Sequence, residues 1–309
     1  MPKEVTVGSP ATAANMVCGF DILGFALDGP YDKLTIRLTA ERGVSIRNFD
    51  SFDLPLIPEK NVIGGALLAM LDELEDGIGF EVDSTKTIKP GSGIGSSAAS
   101  AAGAVVGANY LLNGRFSKSD LVRFAMNGEK VASGVRHADN LAPAIYGGVT
   151  LIRSTFPLDI VSIPAPDLYV TVLHPLIEVK TSNAREILKK EILLKDAAVQ
   201  WGNIAGLVAG LMKKDYELIS RSLVDVIIEP IRSILIPAFY ETRACSLEAG
   251  ALGGGISGSG PSVFMLSKDA ETASKVELAI RREYSRTGIA FETHLSTINH
   301  EGVKIIHHS

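Results

Sequence analysis

The stretch KPGSGIGSSAASAAGAV, residues 89–105, decides how the rest of the chain is interpreted. Between Pro90 and Gly114 the chain has no charged residue, and glycine, serine and alanine make up most of the segment. Side chains this small bury little apolar area, so core packing alone is a weak reason for the composition. They do allow another molecule or another part of the chain to approach the backbone closely.

A glycine-rich turn that leads into a helix is suited to binding phosphate. The N-terminus of such a helix presents unpaired backbone N–H groups and a partial positive charge. Gly91, Gly93 and Gly95 would let the backbone close over phosphate groups, and the serines that follow would add hydroxyl groups for phosphate or a metal ion. On this stretch alone, a tight turn before a buried alanine helix remains an open possibility.

Two common phosphate-binding loops do not fit the spacing. A Walker loop needs lysine after its last glycine, whereas Ser96 follows Gly95 here. A dinucleotide-binding fingerprint that begins with Gly91 and Gly93 needs glycine at position 96, and it also meets serine. The sequence therefore predicts a phosphate loop of another class.

Length and composition limit the classes of protein that fit. The 309 residues suit two domains better than one small core. A net charge of −5 gives no electrostatic footprint for nucleic acid or an anionic membrane. Two cysteines are too few for a disulfide framework and favour a reducing compartment. The start, MPKEVTVGSP, lacks the apolar core of a signal peptide and no stretch suits a membrane span, so we expect a soluble cytoplasmic protein.

Turn signals and apolar periodicity predict a mixed α+β chain. Before a domain boundary at about 155–166, we expect strands at 4–8 and 33–39 with a functional loop between them, helices at 61–74 and 117–128, and the strand VTLIR. After it we expect the strand LYVTVLHP, helices at about 182–195, 198–213, 215–228 and 233–250, the strand PSVFML, a helix at about 269–286 and one or two closing strands. The end, HEGVKIIHHS, has the character of a tail. The predicted domains are 1–160 and 161–309.

Three other segments accompany the phosphate loop. PATAANMVCGFDILG lies near the N-terminus, HADNLAPAIYGG follows the loop, and GGGISGSGPSVF precedes a predicted strand. Together with KPGSGIGSSAAS they occur in the order of the motifs of the GHMP family of small-molecule kinases, which this sequence resembles over nearly its whole length. The first motif departs from the usual form of the family at Ala14, Val17 and Cys18.

The resemblance implies a two-domain α+β fold, with a left-handed βαβ unit in the N-terminal domain and a ferredoxin-like C-terminal domain. It implies ATP and Mg²⁺ as cofactors and a small-molecule substrate bound between the domains. The resemblance is strongest to members that phosphorylate the side-chain hydroxyl of L-homoserine in threonine biosynthesis. A homodimer is the usual expectation for the family. A kinase for mevalonate or a sugar, and a regulator that keeps the fold without activity, are the competing interpretations.

The same resemblance implies which residues hold the nucleotide and the metal ion. Asn61 would contact the base region. Ser97 and Glu129 would bind Mg²⁺, which prefers oxygen ligands, with Ser96 as the near alternative. The phosphates would be held by the loop residues Pro90, Gly91, Ser92, Gly93, Ile94, Gly95, Ser96 and Ser97.

Several members of the family have an aspartate, acting as base or orienting the hydroxyl, at the position that Asn140 occupies here. An asparagine amide has no pKa suited to a general base. By resemblance, Asn140 and Asn15 would therefore hold the acceptor hydroxyl while its proton passes to the γ-phosphate, which suits a loose transition state. Asp139, its neighbour in the sequence, is the competing base.

An amino-acid substrate needs a cation for its carboxylate and an anion for its ammonium group. The resemblance implies that Arg185 and Arg232 bind the carboxylate with Thr181 nearby, and that Asp21 binds the ammonium group. The competing interpretation for each arginine is a surface ion pair. The predicted substrate site is completed by His137, Asn15, Asn140 and Gly258.

Overall fold

The computed structural model describes residues 3–75, 77–179 and 181–309. Its strands are β1 Glu4–Ala14, β2 Leu23–Thr39, β3 Val44–Asn48, β4 Gly79–Thr85, β5 Val149–Thr155, β6 Leu158–Ile163, β7 Tyr169–Pro175, β8 Gly253–Ile256, β9 Val263–Ser267, β10 Phe291–Thr297 and β11 Lys304–His308. Its α-helices are α1 Val62–Leu71, α2 Ser96–Leu111, α3 Lys118–Ser133, α4 Leu141–Tyr146, α5 Thr181–Glu186, α6 Leu194–Lys213, α7 Tyr216–Ser222, α8 Glu229–Arg232, α9 Phe239–Glu248 and α10 Ala270–Tyr284. None of the described helices is both long and apolar enough to cross a bilayer.

The first sheet joins the N-terminal strands to the last strand of the chain. Its order is β11-β1-β2-β4-β3, with β5 paired to β2 and β6 paired to β5. The prediction that HEGVKIIHHS is a tail was wrong, because β11 pairs antiparallel with β1, from Val5 opposite His308 to Gly8 opposite Lys304. The pairing of an edge strand depends on backbone hydrogen bonds, which side-chain composition does not record.

The predicted loop between the first two strands is mostly strand. Strand β1 continues to Ala14 and β2 begins at Leu23, so only residues 15–22 form a loop. Every residue of β1 after Glu4 is buried. A strand that is buried on both faces has no apolar–polar alternation, and its small residues therefore resembled a loop in the sequence.

Helix α2 lies against this sheet at close range. A Cβ atom on Gly103 would lie 2.8 Å from Cδ1 of Leu34, and one on Gly107 would lie 2.5 Å from Cδ1 of Ile36. The alanines of this helix are buried, so the segment does form a buried alanine helix, which was one of the two alternatives that its sequence allowed. Small side chains bring the first turn of α2, and with it the phosphate loop, close to β1 and β2.

The first sheet also contains a βαβ unit. Strand β3 pairs parallel with β4, and α1 lies between them in the chain. Helices α1, α2 and α3 contribute to one apolar core with the sheet, in which Leu67, Val105 and Phe124 are buried. The left hand of the βαβ crossover stays a prediction.

The second sheet has the ferredoxin-like arrangement that we expected. Its order is β10-β7-β9-β8, and every pair in it is antiparallel. Along the chain, helices α5 to α9 separate β7 from β8, and α10 separates β9 from β10, which is the βαββαβ order. Its core includes Phe239, Val276 and Tyr284 from the helices.

Some predicted boundaries in the second half were wrong. The helix expected at 233–250 begins at Phe239, because Pro237 disfavours a helical conformation at the residue before it, and Ile236 is extended. The helix expected at 215–228 ends at Ser222, since the Asp225 carboxylate accepts backbone N–H groups of residues 227, 228 and 229 and starts a new turn. The helix expected at 182–195 ends at Glu186, and β6 was not predicted.

Candidate active site

The phosphate loop has a backbone that requires its glycines. Gly91, Gly93 and Gly95 have φ values of 75°, 85° and 69°, in the left-handed region that favours glycine. Gly95 directly precedes α2, and a Cβ atom on it would lie 2.0 Å from Oγ1 of Thr12. A side chain at position 95 would therefore collide with β1.

A cavity of 320 Å³ opens at the N-terminus of α2. Backbone of the phosphate loop forms one wall, and apolar side chains such as Leu54 and Val62 form part of another. Its size lies within the range of small-molecule sites, about 300–1,000 Å³. The lining residues are Leu54, Val62, Lys86, Pro90, Gly91, Gly93, Gly95, Ser96, Ser97, Ser100, Glu129, Ala132, Asn140, Val179, Gly258 and Ser259.

Two of the predicted loop residues point into the protein instead. Ser92 and Ile94 are buried, and the carbonyl oxygen of Ile94 accepts the backbone N–H of Thr12 at 3.1 Å. The Ser96 hydroxyl donates to the carbonyl oxygen of Ile88 at 2.7 Å, although Ser96 also lines the cavity. These residues fix the loop on β1 and on the segment after β4.

The third glycine-rich motif braces the phosphate loop. The Ser257 hydroxyl donates to the carbonyl oxygen of Gly93 at 2.7 Å, and the Ser262 hydroxyl donates to that of Ser92 at 2.6 Å. In a planar trans peptide the C=O and N–H bonds point in opposite directions. The anchored carbonyl groups therefore turn the N–H groups of Gly93 and Ile94 away from the third motif.

A buried ion pair supports the other side of the loop, and nothing in the sequence pointed to it. Lys86 pairs with Asp32, and the two side chains are 3% and 0% exposed. The Lys86 ammonium group also donates to the carbonyl oxygen of Ser96 at 3.0 Å and to Oγ of Ser100 at 2.7 Å. Asp32 accepts the backbone N–H groups of residues 87 and 88. Lone charged residues beside turn formers carry no sequence signal for such a role.

Two oxygen donors meet at the large cavity. Glu129 of α3 is hydrogen-bonded to Ser97 of α2; burial raises the pKa of the Glu129 carboxyl, and this hydrogen bond opposes the shift. Helix α3 starts with the predicted cap, in which Ser117 and Asp120 form a reciprocal capping box. Carboxylate and hydroxyl oxygens are ligands of the kind that Mg²⁺ prefers, so this donor set fits a hard divalent cation. Among the described residues, no group of three or more His, Cys, Asp and Glu side chains could hold a metal ion.

A second cavity of 60 Å³ adjoins the first. Four residues line both, namely Glu129, Asn140, Gly258 and Ser259. The small cavity is further lined by Asn15, Asp21, His137, Asp139, Arg185 and Arg232. The structure therefore brings together the predicted substrate residues whose side chains it describes; the side chain of Thr181 lies outside the described part.

The first motif forms one wall of the small cavity. Asn15 has a left-handed backbone with φ of 72°. Its Nδ2 donates to the carbonyl oxygen of Gly258 at 2.8 Å, and its Oδ1 accepts the backbone N–H of Asp21 at 3.1 Å. Asn15 thus fastens the first motif to the third, with both ends of its amide engaged.

Charges of both signs face each other across this wall. Arg185 forms an ion pair with Asp21. Arg232 is 4% exposed and donates to the carbonyl oxygens of Ala184 and Gly258, each at 3.0 Å. Burial lowers the pKa of the Arg232 guanidinium, and Asp21 acts in the opposite direction. The ring of Phe20, for which the sequence suggested no role, lies 5.6 Å from the Arg185 guanidinium and 4.9 Å from that of Arg232.

Asn140 lines both cavities, whereas Asp139, the competing base, lines only the small one. Asn140 precedes α4, and its Oδ1 accepts a hydrogen bond of 2.7 Å from the Thr12 hydroxyl. Asp139 is buried, which raises the pKa of its carboxyl to about 7, with smaller contributions in the same direction from Asp21 and Glu129. A general base works best when its pKa lies near the working pH. The raised pKa and the position of Asp139 in the small cavity therefore keep it as a candidate base beside Asn140.

The structure shows the burial and the hydrogen bonding of three further residues, Asn61, His137 and Cys18. Asn61 caps α1, since its Oδ1 accepts the backbone N–H of Ile63 at 2.8 Å, while its neighbour Val62 lines the large cavity. Its predicted contact with the nucleotide base stays a prediction. Burial lowers the pKa of His137, whose Nε2 is buried without a hydrogen-bond partner among the described residues. Cys18 is buried and burial raises the pKa of its thiol to about 12, so it is an inert core residue.

Comparison with known proteins gives a consistent result. The model of the GHMP kinases N terminal domain matches residues 61–148, and that of the GHMP kinases C terminal matches residues 207–286. The chain is 46% identical to homoserine kinase of Chlorobium phaeobacteroides (strain BS1), with 98% of this chain and 100% of that protein aligned.

Solved structures agree with this result. The crystal structure of homoserine kinase from Cytophaga hutchinsonii superimposes with a TM-score of 0.95 at 46% identity, covering 99% of this chain and 98% of that one. L. major mevalonate kinase, with a TM-score of 0.71 at 14% identity over 96% of this chain and 98% of that one, shares the fold alone. Two family models in order along the chain and relatives aligned from end to end lead to one conclusion: the chain belongs to the GHMP kinase family, in the homoserine kinase group.

Proposed function

We propose that the protein transfers the γ-phosphoryl group of ATP to the side-chain hydroxyl of L-homoserine and forms O-phospho-L-homoserine for threonine biosynthesis. The relatives named homoserine kinase, which align with this chain over nearly its full length, support the proposal. The single observation that carries it is the junction of the two cavities at Asn140. On one side lies a phosphate loop at a helix N-terminus, and on the other lies a small pocket with Arg185, Arg232 and Asp21.

The large cavity would hold ATP with its phosphates at the start of α2. Backbone N–H groups there carry the partial positive charge that favours phosphate, and the apolar residues Leu54 and Val62 suit the base. Ser97 and Glu129 would hold Mg²⁺, which neutralises charge on the phosphates. Protein residues thus mainly position the reactants, which is what phosphoryl transfer demands.

The small pocket would select a zwitterion. The guanidinium groups of Arg232 and Arg185 would pair with the substrate carboxylate. Asp21 would pair with the ammonium group. In the structure Arg185 and Asp21 neutralise each other. A bound amino acid would replace this internal pair with two pairs of its own, one between Asp21 and the ammonium group and one between the carboxylate and the two arginines. His137 and the Gly258 backbone would complete the contacts.

Asn140 would hold the acceptor hydroxyl at the junction. With Oδ1 occupied by Thr12, its Nδ2 group is available to donate to the hydroxyl oxygen. The hydroxyl proton would then pass to a γ-phosphate oxygen, or to Asp139 if that carboxyl is ionised. Substituting Asn140 by Ala tests the positioning role, because full kcat in this variant would exclude it.

Mevalonate and sugars fit the pocket less well. A sugar offers no carboxylate for the arginines, and mevalonate offers no ammonium group for Asp21. A regulator without activity would have no use for Ser97, Glu129 and Asn140 together in the large cavity. The charges of the pocket and the residues at the junction therefore favour a kinase for an amino acid.

Product identification tests the proposal. The purified protein is incubated with ATP, Mg²⁺ and L-homoserine, and the product is analysed by mass spectrometry and ³¹P NMR. A phosphate ester on the side-chain oxygen supports the proposal. ATP binding without any phosphorylated product would favour the inactive regulator. The domain boundary near residue 160, the cytoplasmic location and the homodimer stay predictions.

A further inference from the structure

Thr12 lies where three parts of the site meet. It belongs to β1, and its side chain is wholly buried. Its backbone N–H donates to the carbonyl oxygen of Ile94 in the phosphate loop at 3.1 Å, and its hydroxyl donates to Oδ1 of Asn140 at 2.7 Å. The Cα of Gly95 also packs here, since a Cβ atom on it would lie 2.0 Å from Oγ1 of Thr12 and 3.1 Å from Oδ1 of Asn140.

The Thr12 hydroxyl determines which way the Asn140 amide faces. A carboxamide has its oxygen on one side and its NH₂ group on the other. When Oδ1 accepts from Thr12, Nδ2 is directed away from β1. Rotation of the amide by half a turn would present N–H groups to Thr12 and remove the acceptor of its proton. Leaving a buried hydroxyl without this acceptor is unfavourable, because the group has lost its hydrogen bonds to water.

We propose that Thr12 is a positioning residue for phosphoryl transfer, which fixes the Asn140 carboxamide so that Nδ2 faces the junction of the two cavities. The inference rests on the proposed function, because it assigns the acceptor hydroxyl to that junction. Thr12 does not line either cavity in the structure, so it acts through Asn140 and not on the substrate. Its loss is therefore expected to lower kcat and to leave substrate affinity nearly unchanged.

Steady-state kinetics of Thr12→Val test this directly, because valine keeps the shape of the side chain and removes the hydroxyl. We expect kcat to fall about tenfold or more, with KM for ATP and L-homoserine changing less than about twofold. Thr12→Ser restores the hydroxyl and is expected to recover most of the lost rate. Thr6→Val is the matched control, since Thr6 is a buried threonine of the same strand whose hydroxyl bonds to Thr35 outside the site.

A double-mutant cycle shows whether Thr12 acts through Asn140. In an Asn140→Ala background, Thr12→Val is expected to cause no further loss of kcat. Full kcat in Thr12→Val, or the same loss in both backgrounds, would overturn the inference. Thermal unfolding checks that each variant is folded, and Thr12→Ala replaces Thr12→Val if valine prevents folding.

A measurement without substrate separates this inference from the proposed function. The side-chain NH₂ signals of Asn140 are assigned in a ¹⁵N-correlated NMR spectrum by their disappearance in Asn140→Ala. They are expected to shift or broaden in Thr12→Val and to stay in place in Thr6→Val. If L-homoserine is not phosphorylated, the proposed function fails, and these signals still decide the role of Thr12. Unchanged signals in Thr12→Val would contradict it.

Discussion

The hydroxyl of Ser262 donates a hydrogen bond of 2.6 Å to the carbonyl oxygen of Ser92, and so ties the second sheet to the phosphate loop. Ser262 also bonds to Nδ1 of the buried His174 at 3.1 Å. The third motif therefore acts on the large cavity in two ways, by fixing the shape of the phosphate loop and by lining the cavity with Gly258 and Ser259. This relationship explains why a glycine-rich segment so distant in the sequence belongs to the same site.

The first prediction concerns this brace. Ser262→Ala removes the shorter of two hydrogen bonds to the Ser92 carbonyl oxygen and leaves only the backbone N–H of Ser262, at 3.2 Å, so we expect affinity for ATP to fall about fivefold or more. Isothermal titration calorimetry with a non-hydrolysable ATP analogue measures the change. Ser274→Ala is the control, since the exposed Ser274 hydroxyl bonds to the carbonyl oxygen of Ala270 within its own helix. Equal affinities in the two variants would exclude the brace.

The second prediction concerns the buried ion pair beneath the loop. Lys86→Met leaves the Asp32 carboxylate buried without its countercharge, and we expect the free energy of unfolding to fall by about 3 kcal/mol or more. Arg153→Met removes the partner of Asp159 from an exposed pair, with side chains 66% and 36% exposed, and serves as the control. Its expected loss is below about 1 kcal/mol. Urea unfolding compares the two, and similar losses would mean that the pair does not support the loop.

The third prediction concerns the pH dependence of stability. Burial raises the pKa of Asp139 from 3.8 to about 7, so between these values the folded protein binds more protons at this site than the unfolded chain. Its contribution to stability is therefore present at low pH and is lost as the pH rises toward 7. Asp139→Asn removes this titration. The free energy of unfolding of the variant, relative to that of the wild type, should therefore increase when the pH is raised from about 4.5 to about 8.

Urea unfolding of both proteins at the two pH values measures this gain. Glu229, whose pKa burial also raises to about 7, is present in both proteins, and its contribution cancels in the difference. A stability difference that is the same at both pH values would show that Asp139 ionises normally in the folded protein.

The fourth prediction concerns recognition of the carboxylate. Arg232→Leu removes a buried guanidinium from the small pocket, and we expect KM for L-homoserine to rise about 10- to 100-fold, the usual effect of losing a charge-assisted hydrogen bond. KM for ATP should change little, because Arg232 does not line the large cavity. Arg282→Leu, at an exposed position of α10, is the control. A parallel rise in both KM values would indicate general disruption of the site and would refute selective binding.

The glycine-rich motifs predicted much of the site because backbone conformation demands glycine there. Gly91, Gly93 and Gly95 were identified from the sequence, and each has a positive φ in the structure. The cap of α3 was predictable for a similar reason, since Ser117 and Asp120 act through local hydrogen bonds. Interactions between residues a few positions apart require particular residue types at fixed spacing, and such patterns can be recognised in the sequence.

Contacts between distant segments left no such mark. Thr12 bonds to Asn140, Lys86 to Asp32 and Ser262 to Ser92, and the partners in each pair lie far apart in the sequence. Single threonines, lysines and serines occur throughout any chain, so nothing distinguished these from their neighbours. Strand β11 was missed because its pairing with β1 depends on backbone groups.

The most direct test of the proposed substrate compares acceptors with the same hydroxyl and different charges. We would measure kcat/KM with L-homoserine, 3-amino-1-propanol, which lacks the carboxylate, 4-hydroxybutanoate, which lacks the ammonium group, and mevalonate. The pairing of Arg185 and Arg232 with a carboxylate, and of Asp21 with an ammonium group, predicts that L-homoserine exceeds each of the others by about 100-fold or more. Comparable values for L-homoserine and either analogue, or a higher value for mevalonate, would contradict this pairing.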